Sequence, residues 1–279
     1  MSYKTILVHA DLSRHAPERI RVAIALARAE GAHLVGAALT GISSALYQGD
    51  TAELSGSIVA GRLDALHDDA RQALTRFERS AADAGLASYE TRLLNDDPQG
   101  GLALQARYSE LVVLSQADLD DPVSRIIPDL PEYVVLNCAR PVLVVPYAGE
   151  FRQIGARVLV AWDGSVEASR ALANAMPLLR RAANVALAVF NPKRNPGAHG
   201  QQPGADIALL LARQGVKVDV LAQREDNDVG EALLSLAADQ RADLIVMGAY
   251  GHSRVRELLL GGATRTILQK MTLPVLMSH

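Results

Sequence analysis

The sequence predicts an α/β protein built from two similar halves, each a doubly wound parallel sheet with helices on both faces. Short β-branched and apolar runs alternate with segments rich in Ala and Leu that have helical spacing, which is typical of βαβ units. This alternation occurs twice along the 279 residues. Because crossovers between parallel strands are right-handed, we expect a doubly wound sheet of five strands in each half.

Each half opens with a predicted strand that ends in an aspartate. The two strands span Tyr3 to Asp11 and Arg157 to Asp163, and in both halves a Ser follows the Asp after one further residue. A helix and a second strand are predicted next in each half. The helices span Glu18 to Glu30 and Glu167 to Ala183, and the second strands span His33 to Leu39 and Val185 to Phe190.

The ends of the two halves match in register. Glu110 to Ser115 corresponds to Asp243 to Gly248, and Arg140 to Pro146 corresponds to the strand that begins at Leu273. Both correspondences have an offset of 133 residues, from 110 to 243 and from 140 to 273. Two strands that keep one offset without a gap indicate a true tandem repeat.

The predicted domains are residues 1–148 and 155–279. The segment between them, Tyr147 to Gly155, is mostly polar and contains two Gly, which suits a short linker. Two further stretches are predicted to be loops. One spans Thr40 to Gly61 and is rich in Ser and Gly, and the other spans Asn191 to Gly204 and contains Pro, Gly and Asn.

Composition excludes several classes of partner. The formal net charge is −3 and charged residues make up 21% of the chain, so no broad basic surface is expected for nucleic acid or for a membrane. The first twelve residues lack the apolar length of a signal or a membrane span, which predicts a cytoplasmic protein. Cys138 is the only cysteine, which excludes an internal disulfide, and we expect it to be buried.

A glycine-rich region in the second half carries the clearest functional signal. The predicted strand that ends at Gly248 leads into a glycine loop, which begins within Met247 to Gly251. After an arm, Gly261 to Arg265 leads into a predicted helix from Thr264 to Met271. Glycines let a backbone approach a ligand, and a helix N-terminus offers free N–H groups, so phosphate is the expected guest. The region is neither a Walker loop nor a G-x-G-x-x-G fingerprint. Asp163 and Gly248 are both predicted at strand ends that face one crevice.

The glycine spacing resembles that of the universal stress protein family, whose nucleotide-binding members carry Gly, two residues, Gly, nine residues, Gly and then Ser or Thr. The corresponding positions here are Gly248, Gly251, Gly261 and Gly262. The resemblance covers essentially the whole chain in two copies and implies a tandem member with a Rossmann-like fold of the adenine nucleotide alpha hydrolase type. It implies a stress-response sensor or regulator that binds ATP or a related adenine nucleotide, with Mg²⁺ as a candidate counter-ion.

By the same resemblance Asp163 lies near adenine. Gly248 and Gly251 line the base and ribose, and Gly261 and Gly262 hold phosphates. The implied site residues are Ala161, Asp163, Met247, Gly248, Gly251, Gly261, Gly262, Ala263 and Thr264. The family also implies that the last strands of the two halves, Pro141 to Val145 and Pro274 to Met277, pair inside the chain as a pseudo-dimer. A homodimer of whole chains is the expected assembly.

Two departures from the family pattern bear on function. Gly262 replaces the hydroxyl residue, which removes one phosphate hydrogen bond, on the order of 1 to 3 kcal/mol. Thr264 or Arg265 could supply a replacement contact, or Thr264 could be a helix N-cap and Arg265 a solvated charge. In the first half the glycine positions hold other residues, namely Ser115, Asp118, Pro128 and Asp129. Their aspartates repel phosphate, so that half is predicted to be structural or regulatory.

Other chemistry has weaker support. His9 and His252 lack the spacing of a zinc motif, and the acidic clusters Asn95 to Asp97 and Asp226 to Asp228 precede helices, where carboxylates act as caps. No Ser-His-Asp or Cys-His arrangement falls in one crevice, so we expect no turnover beyond slow ATP hydrolysis. The alternative to a nucleotide-binding protein is a scaffold of the same fold, which Gly262 favours. A third class is an enzyme that uses ATP to activate a substrate, but this sequence lacks the pyrophosphate loop that such an enzyme would have after its first strand.

Overall fold

The computed structural model describes residues 2–41, 57–191, 202–225, 227–251 and 262–279. The chain divides into two compact units, residues 2–138 and residues 139–279. The division precedes the last strand of the first sequence half, because that strand pairs with the last strand of the second half.

The first unit contains a parallel sheet of four strands in the order β3-β2-β1-β4. The strands are β1 Thr5–His9, β2 His33–Leu39, β3 Tyr89–Leu94 and β4 Leu111–Ser115. The helices are α1 Ala16–Glu30, α2 Ser57–Asp83, α3 Pro98–Ala106 and α4 Leu130–Asn137. The chain first winds outward from β1 to β3 and then returns to the other side of β1. Strand order therefore reverses between β1 and β4, where ligands bind in open α/β sheets.

The second unit repeats this winding with two additional strand neighbours, in the order β5-β10-β9-β6-β7-β8. The strands are β5 Val142–Val145, β6 Arg157–Ala161, β7 Asn184–Phe190, β8 Val218–Gln223, β9 Leu244–Gly248 and β10 Val275–Ser278. The helices are α5 Val166–Leu179, α6 Ala205–Arg213, α7 Val229–Asp239 and α8 Ala263–Lys270. Strand β5 runs antiparallel to β10, with Leu143 opposite Leu276. The predicted pairing of the two last strands is confirmed.

The core lies along the central strands. Ile6, Leu7 and Val8 of β1 are consecutive and buried, as expected for a parallel strand that helices cover on both faces. The edge strands β3 and β8 have no fully buried residue. Because only the central strands are covered on both faces, they are the ones that the sequence shows as unbroken apolar runs.

Local features confirm some predictions and correct another. Asp97 and Asp228 are the N-caps of α3 and α7, since each carboxylate accepts backbone N–H groups of the first turn, and Cys138 is buried. The predicted loop from Thr40 to Gly61 is wrong at its end, because α2 begins at Ser57. Residues 42–56 of that loop, and residues 192–201 of the other predicted loop, lie outside the described residues.

Candidate functional site

The predicted crevice of the second unit begins where β6 and β9 end side by side. Val160 pairs with Val246, so Ala161 and Met247 follow at neighbouring positions of the two strands. Asp163 lies just beyond β6 and is exposed. Its Oδ1 accepts the Ser165 N–H at 2.9 Å. This turn holds the aspartate at the carboxyl edge of the sheet, where the sequence places it.

Helix α5 approaches the end of β9 closely. A Cβ added at Gly248 would lie 2.5 Å from the backbone nitrogen of Ala168 and 2.7 Å from the carbonyl carbon of Glu167. Real Cβ atoms do not come so close to backbone, so Gly248 is needed for this packing. The helix itself begins at Ser165, whose hydroxyl accepts the Ala168 N–H at 3.1 Å.

The loop after β9 contacts the beginning of α5 as well. A Cβ at Gly251 would lie 2.9 Å from Glu167 Oε2 and 3.2 Å from Ser165 Oγ. Both neighbours are side-chain atoms, and Gly251 is exposed. The loop therefore lies directly beside the turn that carries Asp163.

Helix α8 begins on the other side of this loop. Gly262 is its N-cap, with φ −57° and ψ 152°, and Ala263 is its first helical residue. Among the described residues no side chain caps this end of α8. The free N–H groups and the partial positive charge of a helix N-terminus favour an anion there. Gly261, the remaining predicted glycine, lies outside the described residues.

Thr264 has a role that the sequence did not reveal. It is not the N-cap of α8. Its side chain is only 3% exposed, and its hydroxyl accepts the Tyr250 N–H at 3.2 Å. Tyr250 adopts a positive φ of 59°, so this hydrogen bond fixes a turn that few L-residues adopt. Arg265 is exposed. Thr264 thus ties the loop after β9 to the first turn of α8.

Helix α7 holds α8 in place from the opposite side. The Thr266 hydroxyl donates to Asp228 Oδ2 at 2.8 Å, while Asp228 Oδ1 caps α7. A Cβ at Gly230 would lie 2.9 Å from the Ala263 carbonyl oxygen, so the two helix starts are in close contact. These contacts join the first turn of α7 to the first turn of α8.

Comparison with known proteins identifies the family. A family model described as the universal stress protein family matches residues 2–146 and 156–279. The chain belongs to the universal stress protein family. Universal stress protein Slr1230 of Synechocystis sp. is 28% identical over 221 residues, which cover 75% of this chain and 72% of that protein.

Solved universal stress proteins share the fold. One from Archaeoglobus fulgidus has a TM-score of 0.74 at 17% identity, covering 98% of this chain and 95% of that one. A putative universal stress protein from Pseudomonas aeruginosa has a TM-score of 0.61 at 17% identity, covering 99% and 93% of the two chains. The tandem organisation and the α/β fold predicted from the sequence are confirmed.

In the first unit of this universal stress protein the corresponding strand ends carry a buried arginine. Arg19 is 2% exposed. Its three guanidinium nitrogens donate to the His9 carbonyl oxygen at 2.8 Å, Ser115 Oγ at 2.8 Å and Asp11 Oδ1 at 2.9 Å. Arg19 follows Asp11 by the same spacing as Ala171 follows Asp163. Alignment of the two halves places Arg19 opposite Ala171, which is buried. This difference was a signal that Arg19 has a role at the strand ends, and sequence analysis missed it.

Arg19 and burial together determine the charge states of Asp11 and His9. Burial alone would raise the pKa of Asp11, but the Arg19 guanidinium, His9 and the Ser13 hydroxyl together hold that pKa well below its ordinary value. Burial lowers the pKa of His9 to about 4. At neutral pH the strand ends therefore hold a charged but paired Asp11 and a neutral His9.

An acidic loop replaces the glycine loop in the first unit. Asp118 corresponds in the repeat to Gly251 and binds the Arg14 guanidinium and His15 Nε2, the latter at 2.7 Å. The hydrogen bond from Arg14 lowers the pKa of Asp118 to about 2. Asp121 accepts the Arg14 N–H at 2.9 Å and the Val123 N–H at 2.8 Å. Asp118, one of the two aspartates expected to repel phosphate, thus has partners within the unit.

Among the residues that the structure describes, no group of three or more His, Cys, Asp or Glu could hold a metal ion. None of the described helices is both long enough and apolar enough to cross a membrane.

Proposed function

We propose that this universal stress protein binds an adenine nucleotide, ATP or a close relative, at the carboxyl edge of the second unit. One observation carries the proposal: α8 begins beside the loop after β9 with no side-chain cap among the described residues at Gly262. A phosphate group would accept hydrogen bonds from the first N–H groups of α8 and would be favoured by the helix dipole.

The nucleoside would extend from there toward Asp163. The loop from Gly248 to Gly251 connects the two regions, since it contacts α5 at Glu167 and α8 at Thr264. Asp163 is exposed and would accept from a ribose hydroxyl or the adenine amino group. Ala161 is the last residue of β6 and Met247 is the last but one of β9, and apolar side chains at that level suit a purine ring.

The proposed role is that of a sensor or regulator in a stress response, in which nucleotide occupancy alters the association of the protein. We place this role in the cytoplasm and in a homodimer, with Mg²⁺ accompanying the phosphates. Hydrolysis of ATP would be slow.

The first experiment is calorimetric titration of the full chain with ATP and Mg²⁺, followed by two variants at one position. Gly262→Asp retains a good N-cap residue, since Gly262 already has extended φ and ψ, but places a negative charge where phosphate should bind. Gly262→Ser restores the hydroxyl of the family pattern. We expect one nucleotide per chain, loss of at least about tenfold in affinity with Asp, and a gain of about tenfold with Ser.

The matched control is Asp129→Asn, at the corresponding position of the first unit. It should leave both affinity and stoichiometry unchanged. Binding that survives Gly262→Asp would contradict the assigned site, and two nucleotides per chain would place one in the first unit. If neither the wild type nor Gly262→Ser binds nucleotide, the scaffold function becomes the better account.

A further inference from the structure

The first unit contains a cavity that the nucleotide proposal does not use. Its volume is about 480 Å³, and it lies at the carboxyl ends of β1 and β4, between α2 and the segment that precedes α4. Most of the wall is apolar, with contributions from Leu39, Leu66, Leu114, Ile127 and Leu130. This size and lining are those of a small-molecule site.

The floor of the cavity is polar but already satisfied. His9, Asp11, Arg19 and Ser115 line it, and each guanidinium nitrogen of Arg19 donates to a protein acceptor at 2.8 to 2.9 Å. The buried cation is therefore committed to Asp11 and to the strand ends. A phosphate or carboxylate that entered would have to break these bonds to gain a counter-charge.

The remaining charges disfavour an anion as well. Among the Asp, Glu, Lys and Arg residues that line the cavity, three are Asp and one is Arg. Asp97 and Asp69 add to Asp11, and only Arg19 opposes them. Asp69 is exposed and the other two are partly buried, and carboxylates along the wall repel a ligand of like charge. The cavity therefore suits a ligand with no negative charge.

One buried hydroxyl has no hydrogen-bond partner. Thr40 follows β2, lines the cavity and is 2% exposed. Within the described part of the chain its Oγ1 atom contacts no donor or acceptor. A buried polar atom without a partner costs free energy, which a hydrogen bond from a bound ligand would recover. Thr40 thus marks the point where a ligand needs a polar group.

The rim adds an exposed apolar side chain. Ile126 belongs to a short 3₁₀ turn at Ser124–Ile126, lines the cavity and is 77% exposed. An exposed large aliphatic side chain at the mouth extends the apolar wall outward.

We propose that the first unit binds an uncharged, largely apolar small molecule in this cavity, with one polar group hydrogen-bonded to the Thr40 hydroxyl. The ligand enters past Ile126 and lies against the leucine wall above the Arg19–Asp11 pair. This site belongs to the other unit from the proposed nucleotide site and does not depend on it. The two units of the chain would thus bind ligands of different chemistry.

The probe for this site is 1-aminoanthracene, an uncharged aromatic amine whose fluorescence rises in apolar surroundings. The full chain should bind one probe per molecule with saturation. Anthracene-1-carboxylate, of similar shape but negatively charged, should bind at least about tenfold more weakly.

Two variants locate the probe. Thr40→Val preserves shape and removes the hydroxyl, so affinity should fall about three- to tenfold. Ile126→Asp changes an exposed residue, which avoids a folding defect, and should weaken binding at least about tenfold. Thr75→Val is the control for Thr40→Val, because Thr75 is exposed on α2 and its hydroxyl donates to the Arg71 carbonyl oxygen.

The result that overturns the proposal is absence of saturable binding, or binding that both variants leave unchanged, or equal binding of the carboxylate. Displacement of the probe by ATP would also overturn it. The Gly262→Asp variant keeps this test independent of the nucleotide site, since it should leave probe affinity unchanged whether or not nucleotide binds in the second unit.

Discussion

The buried Arg19 and the partly buried Asp11 form an ion pair at the carboxyl edge of the first sheet, with 2.9 Å between Nη2 and Oδ1. The guanidinium also reaches the end of β4 through Ser115 Oγ at 2.8 Å. One side chain on α1 therefore joins the two strands between which strand order reverses. The corresponding residue in the second unit is Ala171, whose methyl side chain cannot connect the two strands by hydrogen bonds.

We expect Arg19→Met to lower the free energy of unfolding by up to about 3 kcal/mol, because it leaves Asp11, whose side chain is 19% exposed, charged and without its cation. Urea titration measures the change. The double variant Arg19→Met/Asp11→Asn should recover part of the loss. The control is Arg21→Met, which breaks a half-exposed pair with Glu18 one turn away on the same helix and should cost about 1 kcal/mol or less. Equal effects at Arg19 and Arg21 would contradict a structural role for the Arg19–Asp11 pair.

A second prediction concerns pH. The pKa of His9 falls to about 4 on folding because of burial, whereas His in the unfolded chain titrates near 6.5. Between these values the unfolded chain binds a proton that the folded chain does not, so stability falls as pH decreases from 6.5 to 4, by up to about 3 kcal/mol. The pKa of Asp11 is lowered in the folded protein, so Asp11 stabilises the fold fully above about pH 4, and this stabilisation is lost only below that pH.

Thermal unfolding between pH 4 and 7 tests this prediction, with His9→Gln as the comparison. The variant removes the titrating group, so its stability should vary less over this interval than that of the wild type. A parallel decline in both proteins would show that other groups cause the pH dependence.

The sequence predicts the features that depend on neighbouring residues. Strand β1 is an unbroken apolar run, and Asp97 and Asp228 precede the helices that they cap. The pairing of β5 with β10 was expected from the family resemblance and not from the local pattern. The strand and cap signals each lie within a few residues.

The missed features depend on distant partners. Arg19 binds Ser115, 96 residues away, and nothing in the local pattern of α1 distinguishes it from a solvated charge. Thr264 binds a backbone N–H that becomes available only because Tyr250 adopts a positive φ. The start of α2 at Ser57 was hidden by Ser and Gly, whose helix propensity is low but can be overridden by tertiary packing.

A third prediction compares two glycines. Gly248→Ala should destabilise the protein by about 1 to 3 kcal/mol, because the new Cβ would meet backbone atoms of α5 at 2.5 to 2.7 Å. A Cβ added at Gly61 in α2 would have no atom within 4 Å. Gly61→Ala should therefore stabilise the helix by about 0.5 to 1 kcal/mol. Both changes are measured by thermal unfolding. A neutral Gly248→Ala would mean that α5 can move away from β9 without cost.

The fourth prediction separates the structural role of Thr264 from its size. Thr264→Val removes the hydroxyl that accepts the Tyr250 N–H at 3.2 Å, which should cost about 1 to 3 kcal/mol of stability because the site is buried. Thr264→Ser keeps the hydroxyl and should retain the hydrogen bond. Under the proposed function, ATP affinity measured by calorimetry should fall with Val and be largely preserved with Ser, since the hydrogen bond holds the β9 loop against α8. A loss of ATP affinity with Ser as large as that with Val would mean that the hydroxyl is not what matters, and would contradict a role for this hydrogen bond at the nucleotide site.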